Sequence, residues 1–269
     1  MKRMLCSWLF LVLIPVAGIH AQEFSTAIED NSFLIEEAYN QEDRVVQHIS
    51  NLLVFPGAKD LFLSFTQEWP IGSITHQLSY TIPYLSTQAN ANGIGDIQIN
   101  YRYQLTHADP DWGDIAPRFS VILPTGSRNR GLGSGAVGVQ MNLPISKRWT
   151  DPFVTHFNLG FTSLIDAHGT GPDGSTVKKS LFSYALGASG IYLMQENFNV
   201  LLEFLFNRIS LIEDGNVHYG SVVILNPGFR FAINAGDLQI VPGLGVPVQF
   251  SPGSTELGVF AYLSFEHPF

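Results

Sequence analysis

Polar and apolar residues alternate along most of this chain, and the alternation is most regular between residues 96 and 105. In that stretch every even-numbered residue is polar and every odd-numbered residue is apolar; the apolar set is Ile97, Ile99, Tyr101, Tyr103 and Leu105. A repeat of two predicts a β-strand, because successive side chains of a strand point to opposite faces of the sheet. One face of this strand therefore requires a polar environment and the other an apolar one.

The same pattern recurs in short runs that are separated by turn residues, which is typical of an all-β sandwich or barrel. The apolar faces of these runs are rich in large side chains, as between residues 198 and 206. The runs predict strands at residues 45–54, 60–70, 75–85, 94–106, 115–124, 135–147, 152–164, 180–193, 197–210, 220–233, 237–249 and 256–269.

Composition and connection lengths favour a membrane barrel over a soluble sandwich. Charged residues make up only 14% of the chain, yet beyond the N-terminus no apolar run approaches the roughly 20 residues that a membrane helix needs. With the first connection placed outside, most outer connections are longer than the inner ones, the longest being residues 125–134, 165–179 and 211–219. Long outer loops and short inner turns are typical of outer-membrane barrels. We therefore predict a transmembrane antiparallel β-barrel of about twelve strands over residues 45–269.

Residues 1–21 have the features of a secretory signal peptide. Lys2 and Arg3 precede an apolar stretch that ends in small residues near Ala21. The only cysteine, Cys6, lies inside this stretch, so cleavage after Ala21 would leave a mature chain without disulfide or thiolate chemistry. Residues 22–44 form a polar, acidic N-terminal segment. We predict that this segment is a periplasmic tail, with a segment folded into the barrel lumen as the alternative.

The chain ends in an alternating strand whose last residue is aromatic. Counting back from Phe269 in steps of two, the residues are apolar except for His267, and they include Phe265. A terminal Phe on such a strand resembles the signal by which bacterial outer-membrane barrels are recognised. We therefore assign Phe265 and Phe269 to contact with the barrel-assembly machinery. With the signal peptide, this predicts a place in the bacterial outer membrane, among its lipid and lipopolysaccharide.

The stretch from residue 36 to about residue 160 resembles the family of outer-membrane proteins named for the MetA pathway of phenol degradation. The matching stretches are EEAYNQEDRVVQHI from Glu36, FTQEWPI from Phe65, HQLSYTIPY from His76, GIGDIQINYRYQL from Gly93, APRFSVILPTGSRNRGLGSG from Ala116 and VGVQMNLPISKRW from Val137. The resemblance implies a β-barrel in the outer membrane that moves small compounds, among them aromatic or apolar ones.

If the apolar faces contact lipid, the polar faces line a lumen, because an Arg or Lys that faces lipid at mid-depth costs about 2–4 kcal/mol. The charges on the polar faces either pair to brace the barrel or line a conduction path, and the small interior of such a barrel favours bracing. Six glycines on inward positions either leave free space or relieve curvature: Gly138, Gly160, Gly187, Gly228, Gly243 and Gly245. The lumen-lining candidates are Glu68, Asp96, Gln98, Asn100, Arg102, Arg118, Gln140, Asn142, His156, Asn158, Glu203, Arg230 and Glu266.

Other chemistry is sparse in the sequence. The net charge of -9 argues against a nucleic-acid partner. The Gly-rich run at residues 125–135 precedes a strand rather than the helix that a phosphate loop needs, so we predict an outer loop there. We expect no cofactor and no metal site.

The sequence thus predicts a passive channel or transporter for small solutes, and not an enzyme. A purely structural barrel and an outer-membrane lipid hydrolase are the alternatives. A hydrolase of this kind would use Ser, His and Asn at the lipid-facing wall. His156 and Asn158 are instead predicted to face the lumen, and no serine motif accompanies them.

Overall fold

A computed structural model describes residues 31–87, 91–109 and 111–269. The predicted signal peptide and residues 22–30 lie outside the described residues. The strands in the described part are β1 (Val45–Phe55), β2 (Asp60–Pro70), β3 (His76–Ser86), β4 (Asn92–Ile94), β5 (Ile97–Tyr103), β6 (Asp114–Ile115), β7 (Arg118–Leu123), β8 (Gly138–Thr150), β9 (Phe153–Thr170), β10 (Thr176–Gln195), β11 (Phe198–Glu213), β12 (Asn216–Phe231), β13 (Ile233–Ala235), β14 (Leu238–Gly245), β15 (Val248–Ser251), β16 (Ser254–Leu257) and β17 (Val259–Pro268).

Short breaks divide five of the barrel strands, so these segments build a closed antiparallel barrel of twelve strands. The divided strands are β4 with β5, β6 with β7, β12 with β13, β14 with β15, and β16 with β17. The ring closes between β1 and β17, where Val45 lies opposite Pro268 and Val54 opposite Val259. Closure satisfies the backbone groups of strands that would otherwise be sheet edges. The predicted fold is confirmed.

Side chains alternate between the two faces of the barrel wall as the sequence predicts. In β5, Asn100 and Arg102 are each 4% exposed, whereas Ile99 is 44% exposed and Tyr101 38%. Large apolar side chains are exposed in the same way on the outer faces of other strands, for example Phe157, Phe182 and Phe204. Within the described residues, no helix has the length and apolar character to span a membrane.

Two of the predicted outer loops are wrong. Residues 165–179 do not form a loop, because β9 continues to Thr170 and β10 begins at Thr176. Residues 211–219 are also mostly paired, and only Asp214 and Gly215 connect β11 to β12. Backbone pairing continues through these stretches although their side chains no longer alternate, since ladder hydrogen bonds do not depend on side-chain polarity. The outer connections are therefore not generally longer than the inner ones, and the long exception is residues 124–137.

Residues 31–42 lie inside the barrel, and the prediction of a periplasmic tail is wrong for them, whereas Asp43 and Arg44 are exposed just before β1. Ile35 is 2% exposed and Ala38 is fully buried. The acidic composition indicated a solvated segment, but a polar lumen wall can satisfy the same groups as water does. Composition alone therefore could not separate the tail from the alternative in the lumen. Residues 31–42 are called the lumen segment below.

Candidate functional site

The lumen segment has no regular secondary structure, and side chains of the barrel wall take the place of ladder partners. Its buried backbone N–H groups require acceptors, which the inward-facing residues of the wall supply. The bonds run from Gln41 to Gln77 Oε1 (2.6 Å), from Asn40 to Gln104 Oε1 (2.8 Å), from Ala38 to Ser146 Oγ (2.7 Å) and from Glu36 to Asn158 Oδ1 (2.8 Å). The segment thus follows the inner side of the wall from β3 to β9.

Glu203, fully buried on β11, holds the far end of the lumen segment. Its Oε1 accepts hydrogen bonds from three successive backbone N–H groups, at 2.9 Å from Phe33, 2.7 Å from Leu34 and 3.1 Å from Ile35. Its Oε2 accepts a bond of 2.8 Å from Asn226 Nδ2. Consecutive N–H groups of this kind form a concave anion site, and bonds to a charged acceptor are stronger than neutral ones. One wall carboxylate therefore fixes three residues of the segment.

Two wall arginines pair with acidic residues of the lumen segment. Arg118 binds Glu36 with two atoms, Nε to Oε2 at 2.8 Å and Nη2 to Oε1 at 2.5 Å. Arg102 lies 3.8 Å from Glu37 Oε1 and 3.6 Å from Glu68 Oε2. Bidentate pairing restricts the geometry of both partners. The charges are paired, as the bracing alternative expects, but most of the pairs join the wall to the lumen segment rather than strand to strand.

Phe33 occupies an apolar hollow in the inner wall that is formed by β12, β14 and β17. Its ring lies 5.0 Å from the ring of Phe260 and 5.4 Å from that of Tyr262, between ring centroids. A Cβ on Gly243 would lie 2.7 Å from the Phe33 ring, and a Cβ on Gly228 would lie 2.6 Å from it. These two inward glycines therefore leave space, and the lumen segment fills it.

Of the other four inward glycines, one leaves space for the lumen segment and three leave space for side chains of the wall. A side chain on Gly187 would meet Ile35 of the lumen segment. Gly138, Gly160 and Gly245 instead face side chains of the wall, which are Leu164, Asn142 and Asn226 respectively.

His156 and Ser146 form a hydrogen-bonded pair on the inner wall, where it contacts the lumen segment. The His156 Nδ1 and Ser146 Oγ atoms are 2.6 Å apart, and both residues are fully buried. The sequence missed this pairing because the two residues lie on different strands, β8 and β9. Ser146 Oγ also accepts the Ala38 N–H, and the Tyr39 ring meets the His156 ring edge-on. The geometry therefore directs this pair toward the lumen segment and away from lipid, which gives the hydrolase alternative no support.

The remaining predicted lumen residues also contact one another or the inner wall. Gln98 lines a cavity that is described below. The other predicted lumen residues form side-chain hydrogen bonds between Gln47 and Glu266, Arg118 and Gln140 (2.9 Å), Arg118 and Asn100 (3.2 Å), and Asn142 and Asn158 (3.2 Å). The Arg230 guanidinium lies 6.0 Å from the Tyr262 ring centroid.

Asp96 departs from the prediction of pore lining, because its carboxylate holds the long outer connection. It accepts bonds from Gly126 N at 2.9 Å, from Ser134 N at 2.7 Å and from Ser134 Oγ at 2.8 Å. Residues 124–137 are called the outer loop below. Leu132 of this loop is 3% exposed and would lie 3.1 Å from a Cβ on the inward-facing Gly93. The outer loop thus folds over the barrel mouth and narrows it.

Two cavities border the lumen segment within the described part of the chain. The larger, of about 480 Å³, lies at the inner mouth beside Tyr39, His107 and Lys147. There the backbone N–H groups of Trp112 and Asp111 donate to Asp109, which lowers the pKa of that carboxyl. The second cavity, of about 290 Å³, lies within the lumen between the segment and strands β1 to β5. It is called the chamber below.

Sequence reasoning missed the apolar part of the lumen. Ile191 is fully buried on the inward face of the wall. Three more inward apolar residues are almost fully buried, with exposed fractions of 5% for Leu201, 2% for Val241 and 2% for Phe260. Their outward neighbours on the strands are apolar too, so the alternation is hidden there. The available signal was the loss of alternation itself, since strands that are apolar on both faces are typically buried on both.

The C-terminal residues close the ring beside the lumen segment. The backbone N–H of Phe269 donates a bond of 2.9 Å to the carbonyl oxygen of Arg44, and the Phe269 side chain is 69% exposed. Phe265 pairs with the outward-facing His48. Both aromatic side chains thus lie on or beyond the outer face of the wall at the end where β1 begins.

The fold is that of solved outer-membrane barrels. An outer-membrane channel from Pseudomonas putida F1 aligns with a TM-score of 0.62 at 14% sequence identity, over 86% of this chain and 98% of that chain. The NanC porin aligns with a TM-score of 0.54 at 8% identity, over 82% of this chain and 98% of that one. At these identities the likeness establishes the shared barrel fold alone. No protein-family model matches the sequence, and no curated protein matches it.

Proposed function

We propose that this protein is a channel of the bacterial outer membrane through which small solutes diffuse passively. The observation that carries the proposal is what fills the lumen. A segment of chain without regular secondary structure, held by contacts with wall side chains, runs through the space inside the wall. In a purely structural barrel, wall side chains would be expected to fill the interior directly.

The outer face supports the membrane location. Its exposed residues are large and apolar, as with Leu159 at 52% and Phe182 at 52% exposed, and a soluble protein rarely exposes so continuous an apolar surface. Lipid and lipopolysaccharide are the surroundings that we propose, with export by the N-terminal signal and assembly through Phe265 and Phe269.

The resemblance to the phenol-degradation family extends the proposal to small aromatic or apolar compounds. The hollow around Phe33, which includes Phe260 and Ile191, offers an apolar surface on the inner wall. A solute of this kind would contact that surface when the lumen segment is displaced.

The test is reconstitution of the purified protein in planar bilayers and in liposomes. We expect ion conductance and solute-driven swelling for the wild type, and a several-fold larger conductance for a variant that lacks residues 31–43. Bilayers that stay sealed with both proteins would overturn the proposal. Release of fatty acid from the same liposomes, lost in His156→Ala, would instead establish the hydrolase.

A further inference from the structure

The chamber has a polar side and an apolar side, the latter including Ile49 and Phe62, and it offers very little free charge. Its polar lining comes from inward positions of β2, β3 and β5, where Thr66 Oγ1 lies 3.0 Å from Thr81 Oγ1 and Asn100 Nδ2 donates to Ser79 Oγ at 3.1 Å. The volume of about 290 Å³ lies near the lower end of the roughly 300–1,000 Å³ typical of small-molecule sites. The volume therefore accommodates a solute of several heavy atoms.

The charges that line the chamber offer no free partner to an anion. Arg118 is bound to Glu36, and its Nη1 also donates to Asn100 at 3.2 Å. Arg102 lies between Glu37 and Glu68 and donates to Asn40 Oδ1 at 3.0 Å. Three carboxylates thus outnumber two engaged guanidinium groups. An anionic solute would have to displace an existing ion pair.

Two residues that line the chamber each carry a buried side-chain oxygen without a hydrogen-bond donor among the described residues. Asn31 Oδ1 and Asn51 Oδ1 both have no partner among the residues that the structure describes, and both residues line the chamber. Asn31 is 7% exposed. Asn51 sits on β1 opposite Ser64 of β2 and Tyr262 of β17, at the edge of the hydroxyl-rich wall. A buried carbonyl oxygen without a donor is unfavourable, so a ligand that supplies O–H groups would relieve this cost.

We propose that the chamber is a binding subsite for neutral, polyhydroxylated solutes on the path through the barrel. The hydroxyls of β2 and β3 exchange bonds with the O–H groups of the solute, and the side chains of Asn31 and Asn51 turn toward the solute to accept hydrogen bonds from it. This inference rests on the proposed channel function for its place on a path, but binding to the chamber does not depend on transport.

Sorbitol is a suitable probe, with gluconate as its anionic counterpart. Triethylene glycol dimethyl ether, which has a similar mass, accepts hydrogen bonds but donates none. Binding to the full chain in detergent is measured by saturation-transfer NMR, and permeation by liposome swelling. We expect saturable binding of sorbitol, several-fold weaker binding of gluconate, and no saturable binding of the ether.

Asn51→Leu removes an unpartnered oxygen at nearly constant volume, and it should weaken sorbitol binding several-fold. Asn207→Leu is the matched control, because Asn207 faces inward on β11 outside the chamber. Equal affinities of the two variants, or equal binding of sorbitol and the ether, would overturn the subsite. Sorbitol binding that is lost in Asn51→Leu, without passage of any solute, would retain the subsite and overturn the channel. Passage of solutes without saturable binding would retain the channel and overturn the subsite.

Discussion

The backbone N–H of Leu34 donates a hydrogen bond of 2.7 Å to Glu203 Oε1, and this contact joins the lumen segment to the middle of β11. The same oxygen accepts the N–H groups of Phe33 and Ile35. A backbone bend that offers three donors to one point matches a carboxylate better than any neutral acceptor, because a full charge supports several bonds at once. The hold on this end of the segment is therefore concentrated in a single side chain.

Replacing this carboxylate by a neutral amide should loosen the lumen segment. Glu203→Gln keeps the shape but converts charged hydrogen bonds into neutral ones, and we expect a loss of about 1–3 kcal/mol in the free energy of unfolding. Conductance in planar bilayers should rise because the segment leaves its position more often. Glu213→Gln is the matched control, since Glu213 is exposed at the outer end of the same strand. Equal conductance of the two variants would contradict the anchoring role.

Filling the space beneath Phe33 should displace it. Gly243→Val would place side-chain atoms where the Phe33 ring lies, whereas Gly220→Val on β12 meets open space. A Leu34→Cys reporter can follow the displacement, because the only cysteine of the full sequence is Cys6. We expect a water-soluble thiol reagent to label the reporter several-fold faster in Gly243→Val than in Gly220→Val. Labelling at one rate in both backgrounds would show that Phe33 does not depend on this space.

The wall of the barrel was largely predictable from the sequence, and its contents were not. Alternation fixes which face of a strand is polar, so Arg102, His156 and Glu203 could be placed inward without a structure. It does not say what meets them there. Glu36 and Arg118 are 82 residues apart, and their pairing depends on the path of an irregular segment. Asp96 shows the same limit, because its partners lie in a loop whose fold follows no periodic pattern.

The Arg118–Glu36 pair should show energetic coupling. Arg118→Gln and Glu36→Gln each leave a partly buried charge unpaired, so each should destabilise the barrel, and the double variant should cost less than the sum. A coupling energy of about 0.5–3 kcal/mol is expected for residues in direct contact. Urea unfolding in lipid vesicles measures all four proteins of the cycle. Additive losses would mean that the ion pair does not hold the segment to the wall.

Release of the outer loop should change the outer mouth without affecting the inner one. Asp96→Ala removes three hydrogen bonds to the loop, and we expect limited proteolysis within residues 124–137 to become several-fold faster. Asp166→Asn is the control, because it neutralises a carboxylate near the outer end of β9 whose positive φ of 55° asparagine tolerates well. A loop that stays equally resistant in both variants would show that other contacts, such as Arg130 to the Asn92 carbonyl, suffice.

An arginine introduced on the outer face should destabilise the barrel by an amount that depends on its depth in the membrane. Leu159 points outward in β9 between Leu143 and Leu186, and Ile165 lies six residues nearer the outer end of the same strand. For a wall in lipid, Leu159→Arg should cost about 2–4 kcal/mol and Ile165→Arg about 0–1 kcal/mol, because water and headgroups reach the interface but not the midplane. Unfolding by urea in lipid vesicles gives both values. Equal small costs at the two positions would mean that this face is solvated, and the membrane location would then be wrong.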